Sequence, residues 1–205
     1  MKYFKNKKGG YSFTEVIISV AIIGLIFNIV GRFAGDVFSL NSIISGGLNT
    51  QLDAKHLIKV MVTELRKTMP SSLGSYPIEL ANSSAITFFS DVNSDGLKER
   101  IRYYMDGTNL KKGMIIPSGT PLSYVSSNEK KSTLMSGVIS SSTQPLFQYY
   151  SSTYTGSSAP LSIPVNISEI RLIKITVIID KDPLRSPVPL TVTSSVSLRN
   201  LKDNL

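Results

Sequence analysis

The chain has 205 residues, 41% of them hydrophobic and 18% charged, a composition that can bury a sizeable core in one domain with an added element. There is no cysteine, which excludes disulfides, thiol nucleophiles and zinc–thiolate sites; such usage fits a cytoplasmic protein and equally an exported one that does without disulfides. The formal net charge is +8, but Lys2, Lys5, Lys7 and Lys8 supply four of those charges; past residue 10 the balance is 18 basic against 14 acidic residues, or +4, too small an excess to argue for nucleic-acid binding.

The N-terminal decapeptide is basic and ends in Gly9-Gly10. From Tyr11 to Gly31 run 21 residues with Glu15 as the only charge, and sixteen uncharged residues, mostly Val, Ile, Leu and Phe, separate Glu15 from Arg32. A bilayer span needs about 20 apolar residues. The preceding lysines would stay on the cytoplasmic side, leaving the rest of the chain across the membrane. A charge at the centre of a bilayer costs at least ~2.5 kcal/mol, so an acid in such a run is a functional candidate by default. The plainer reading of Glu15 is a carboxylate resting at the headgroup level without a partner.

Two ordinary segments compete with a specialised one: a secretory signal peptide cut near Phe33-Ala34-Gly35, and a plain single-pass anchor. A signal peptide predicts that the helical pattern stops at the cut. Instead apolar residues continue at Leu40, Ile44, Leu48, Leu52, then Leu57 or Ile58, Met61, Leu65 and Met69, mainly in steps of four, until Pro70 closes the pattern. The spacing predicts one helix from about Tyr11 to Met69, roughly 90 Å long, apolar all round in its first part and amphipathic in its second.

This combination resembles the type IV pilin family, through the stretch YSFTEVIISVAIIG at residues 11–24. The resemblance implies a short basic leader, residues 1–10, cut after Gly10 by a prepilin peptidase. It implies a new N-terminus at Tyr11 that is N-methylated, and an assembly role for Glu15 as fifth residue after the cut. Tyr11 stands where the family prefers Phe, and Thr14 where it prefers an aliphatic. In the family the acid pairs with the N-terminal amine of a neighbouring subunit, which sets axial register in a filament. Gly24, Gly31, Gly35, Gly46 and Gly47 fall within the predicted helix. They read either as points of bending and close helix packing, Gly31 and Gly35 at GxxxG spacing, or as incidental glycines.

Past Pro70 the period changes. Residues 85–107 read as two strands around an Asn-Ser-Asp-Gly turn, with Ile86 and Phe88 on one side and Ile101 and Tyr103 on the other. Residues 109–117 predict a short strand pair, or a strand and bend. Residues 118–165, rich in Ser, Thr, Gly and Pro, predict short strands among long loops. The best strand signal is residues 167–180, where Ile170, Leu172 or Ile173, Ile175, Val177 and Ile179 alternate; residues 189–201 are its expected hairpin partner across a proline-rich loop. The fold class expected is therefore α+β, a long N-terminal helix packed on an antiparallel sheet, as in pilins. The expected organisation is a leader at 1–10, a membrane and assembly helix at 11–35, and a periplasmic or extracellular domain at 36–205 that is β-rich over 76–205. Among pilin relatives the chain looks most like minor pilins or minor pseudopilins, the nearest kinds being the J-type pseudopilin of type II secretion and the W-type minor pilin.

Little in the sequence suggests catalysis. His56 is the only histidine, which leaves a Ser-His-Asp site little to draw on and reads as an ordinary helix residue. Asp91, Asn93, Asp95 and Gly96 match the start of an EF-hand calcium loop with Glu99 at the ninth position, but Arg102 occupies the twelfth, where a bidentate Glu belongs. A shortened calcium loop and a plain polar turn both fit these residues. Tyr103, Tyr104, Tyr149, Tyr150 and Tyr154 with Lys111, Lys112, Lys130 and Lys131 could form a surface for single-stranded DNA, although such residues are more often half-buried strand positions and solvated turns. The expectation is a structural subunit, not an enzyme, with no cofactor beyond that calcium option. Its expected partners are other pilin subunits, the processing peptidase and methyltransferase, and an inner-membrane assembly platform, in a secretion pseudopilus, a pilus or a DNA-uptake pilus. The competing expectation is a membrane-anchored or secreted β-domain that binds a ligand or surface.

Overall fold

A computed structural model of the chain describes residues 9–180, 189–198 and 201. The lysines of the expected leader, and residues 181–188 of the expected proline-rich loop, lie outside them. The chain divides into two compact units, Met1–Gly46 and Gly47–Leu205, and the division falls between two of the glycines singled out by sequence.

Helix α1 spans Phe13–Arg66. It starts where the Ser12 carbonyl accepts from the backbone N–H groups of Glu15 and Val16, at 3.0 and 3.2 Å. In the first unit its large apolar side chains, from Val16 through Ile44, are exposed, and the helix is long and apolar enough to cross a bilayer. The helix ends three residues before the expected Met69. The Thr68 N–H still donates to the Leu65 carbonyl at 3.1 Å, but Thr68 also bridges to Ser90 and the Met69 N–H donates to the Phe89 carbonyl at 3.0 Å, so the chain passes there from helix to strand pairing.

The second unit holds two antiparallel sheets. Strands β1 (Ile78–Ala81), β2 (Ala85–Ser90), β3 (Glu99–Asp106), β4 (Asn109–Ile115) and β5 (Lys130–Met135) form a meander in that order. In the second sheet, β8 (Leu172–Ile179) pairs with β6 (Val138–Ile139), β7 (Phe147–Tyr150) and β9 (Leu190–Ser197). The β2–β3 hairpin has the expected alternation: Phe88 pairs with Ile101 and Ile86 with Tyr103, all four fully buried. Residues 109–115 form a single strand between β3 and β5, which settles the two expected forms in favour of one strand. The best strand signal is shorter at its start. Ile167–Glu169 form a 3₁₀ turn in which the Asn166 side chain caps Ser168, and Ile173, not Leu172, takes the buried phase.

One apolar core joins both sheets to the end of α1. Ala54, Leu57, Ile58, Met61 and Leu65 pack with Ile86, Phe88, Ile101 and Tyr103 of the first sheet and with Phe147, Tyr149, Ile173, Ile175 and Val177 of the second. The Phe88 and Tyr103 rings stack at 6.0 Å. Each large apolar side chain removed from water here contributes on the order of 1.5–3 kcal/mol. The expected inward face is corrected at Leu40, Ile44, Leu48 and Leu52, which are all more than half exposed. A helix turns about 100° per residue, so Leu52 and Met61, nine residues apart, face opposite ways. A string of four-residue steps drifts round the helix, and the buried stripe instead runs through Thr50, Ala54, Leu57, Ile58, Met61 and Leu65.

Candidate functional site

The residues implicated in processing and assembly sit at the start of α1. Gly10 precedes the helix with open space where a Cβ would project, so the fold of this chain does not itself require glycine there. Tyr11 is 84% exposed. Ser12 and Thr14 share a hydroxyl hydrogen bond of 2.8 Å, and Ser19 donates to the Glu15 carbonyl at 2.7 Å. Glu15 lies in the first turn, where the helix dipole favours an anion. Among the described residues its exposed carboxylate has no hydrogen-bond or ion-pair partner. The five helix glycines likewise have nothing within 4 Å of where a Cβ would stand, so nothing among the described residues calls for their small size.

The β2–β3 turn is built from its own polar side chains. Asp91 Oδ2 accepts from the Gly96 N–H at 3.1 Å, Asn93 Oδ1 from the Asp95 N–H at 3.0 Å and Asp95 Oδ1 from the Leu97 N–H at 2.8 Å. Asn93 Nδ2 also donates to Asp95 Oδ2 at 2.8 Å. Gly96 has φ +90°, a conformation that favours glycine. The strand side is pinned too: the Lys98 N–H donates to Ser72 Oγ at 2.9 Å, and the Tyr124 hydroxyl donates to the Lys98 carbonyl at 2.6 Å. Of the four candidate calcium ligands, Asn93 and Asp95 are exposed and occupied by one another and by the turn. Glu99 is 1% exposed, at the neck of the hairpin opposite Ser90, and its Oε2 accepts from the Val92 N–H at 3.0 Å. Among the described residues no group of three or more His, Cys, Asp or Glu side chains is placed to hold a metal.

The tyrosines and lysines considered for nucleic acid are largely committed elsewhere. Tyr103 and Tyr149 are buried, and burial pushes both phenols above the usual range; the Glu64 carboxylate adds to the effect at Tyr103. Tyr104 lies under the Arg102 guanidinium, 4.1 Å from ring centre to charge, and Tyr154 packs on Tyr150. Lys111 pairs with Asp106, which holds that exposed carboxyl below its ordinary range, and Lys131 pairs with Glu129 at 3.5 Å. Lys112 pairs with Glu64 at 2.6 Å. His56 is exposed on α1 and lines an open groove of about 590 Å³ with Asp53, Val60, Lys112 and Met135.

Two anchoring clusters escaped the sequence reading. Glu64, near the end of α1, accepts from the Tyr103 hydroxyl at 2.5 Å and from Lys112 Nζ at 2.6 Å, tying the helix to β3 and β4. Glu129 takes Arg102 in a two-pronged pair at 3.0 and 2.9 Å. A Cβ on Gly113, the cross-strand neighbour of Arg102, would overlap that carboxylate. Glycine in mid-strand is a recognised sign of such close approach, and was the one legible hint. No protein-family model matches this chain, and a search of curated proteins finds no match either.

Proposed function

We propose that the chain is a structural subunit of a pilin-like filament, a minor pilin or pseudopilin, and not an enzyme. It is made as a membrane-inserted precursor, cut after Gly10, methylated on Tyr11, and drawn into a fibre by packing of its N-terminal helix. The observation that carries this reading is the character of α1. One helix from Phe13 to Arg66 opens with an acid in its first turn, exposes its large apolar side chains through the first unit, and ends as part of the β-domain core. Exposed apolar surface on that scale needs lipid or other helices to cover it. Glu15, with no partner of its own among the described residues, is free to meet the Tyr11 amine of a neighbouring subunit, where low dielectric makes the attraction strong and an unpaired charge costly.

Mass spectrometry of the chain recovered from its native membrane tests the reading. A mature N-terminus at Tyr11, heavier by one methyl group, is expected. Retention of Met1, or a start near Gly35, would replace the filament subunit with an anchored or secreted β-domain.

A further inference from the structure

We propose that the neck of the β2–β3 hairpin binds a calcium-class divalent cation through Asp91 Oδ1 and Glu99 Oε1. The two carboxylates flank one turn, and each spends a single oxygen on it: Asp91 Oδ2 on the Gly96 N–H, and Glu99 Oε2 on the Val92 N–H. The second oxygen of each is inaccessible to solvent and has no hydrogen-bond partner. Glu99 is the sharper case, since the whole residue is 1% exposed and no ion pair reaches it among the described residues. A buried carboxylate left this way is costly unless a proton, a water or a cation takes it up. Two such oxygens on one rigid turn are hard donors, and no sulfur or imidazole ligand lies in that turn, so the donor set suits calcium over transition metals.

This site differs from the one the D-x-N-x-D-G pattern suggests. Asn93 and Asp95 point their oxygens into the turn's own hydrogen bonds and stand in solvent, so they are not ligands. Two protein carboxylates leave much of calcium's shell to water and main-chain oxygens, which places the affinity in the range of roughly 0.1–1 mM seen in extracellular modules. The inference does not depend on the filament reading.

The test uses the full chain in detergent, stripped of divalent ions with EDTA. Calorimetric titration with calcium chloride should show one site per chain, and 10 mM calcium should raise the melting temperature by at least about 3 °C. Glu99→Gln or Asp91→Asn should remove both signals, while Asp95→Asn keeps them. Absence of heat and of any shift in the unsubstituted chain up to 10 mM calcium would overturn the proposal, leaving the buried oxygens to a proton or water. Persistence of the signals in both Glu99→Gln and Asp91→Asn, or their loss in Asp95→Asn, would overturn it as well, by moving the cation elsewhere. The titration of the unsubstituted chain can overturn the proposal even if a variant fails to fold.

Discussion

Tyr103 and Tyr149 show how burial converts an ordinary side chain into a pH-sensitive support. Both rings belong to the core; the Tyr103 hydroxyl donates to Glu64 and the Tyr149 hydroxyl to the Asn82 carbonyl at 2.9 Å. Desolvation is the main reason their phenols resist ionisation, with the Glu64 charge second at Tyr103. Folded-state values raised above 10.0 mean that this stability is complete below about pH 10, where neither state has lost a proton. Above it the unfolded chain ionises first, and stability should fall by roughly 1.4 kcal/mol per pH unit for each tyrosine. Denaturant midpoints from pH 9 to 11.5 should show that limb, and Tyr103→Phe should make it shallower by one tyrosine's share, about 1.4 kcal/mol per pH unit. An unchanged slope in that variant would remove Tyr103 from the account. The alternation that put Tyr103 on the inner face was readable at sequence level, whereas its partner Glu64 lies 39 positions away and could only be found in space.

At the scale of elements, α1 separates apolar pattern from burial. Met61 is fully buried and Leu52 is 57% exposed, although both belong to the same string of apolar residues. Met61→Ala should therefore cost on the order of 2–5 kcal/mol, and Leu52→Ala less than about 0.5 kcal/mol, in denaturant melts of the full chain in detergent. Equal costs would contradict the assigned helix face. The β2–β3 hairpin and the β8–β9 pair were legible because alternation over six or more residues is a strong local signal, whereas residues 109–117 left a strand pair and a strand with a bend both open. Strands β6 and β7, of two and four residues, fall on the short apolar pieces at 134–140 and 146–150 within the stretch read as short strands among loops, but their pairing with β8 lay outside any local pattern.

For the whole molecule, the proposed assembly rests on a division of labour between helix and β-domain. Glu15→Ala should leave processing after Gly10 intact, since the carboxylate supports nothing within the described chain, but should reduce incorporation into filaments by tenfold or more, about 1.4 kcal/mol per factor of ten for a desolvated charge pair. Recovery of the variant in sheared filaments at the normal level would refute the pairing role. Because the substitution lies outside the β core, melting of the domain should not change, which separates an assembly defect from misfolding.

Sequence by itself determined the long helix, its apolar first part with one acid, the switch to antiparallel strands after Pro70, and the lack of means for thiol chemistry. These follow from local period, charge and composition, which act over a few residues. Only the tertiary structure decided which helix face turns inward, that the chain leaves the helix at Arg66 to hydrogen-bond to β2, and that Gly113 makes room for Glu129 beside Arg102. It also decided that Asp91 and Glu99, and not the exposed Asp95, carry the unmet oxygens of the turn. The helix face, the helix end and the Gly113 contact depend on groups far apart in the chain competing for one volume or one hydrogen bond, while the turn's unmet oxygens depend on which of several nearby acceptors the folded hairpin turns inward.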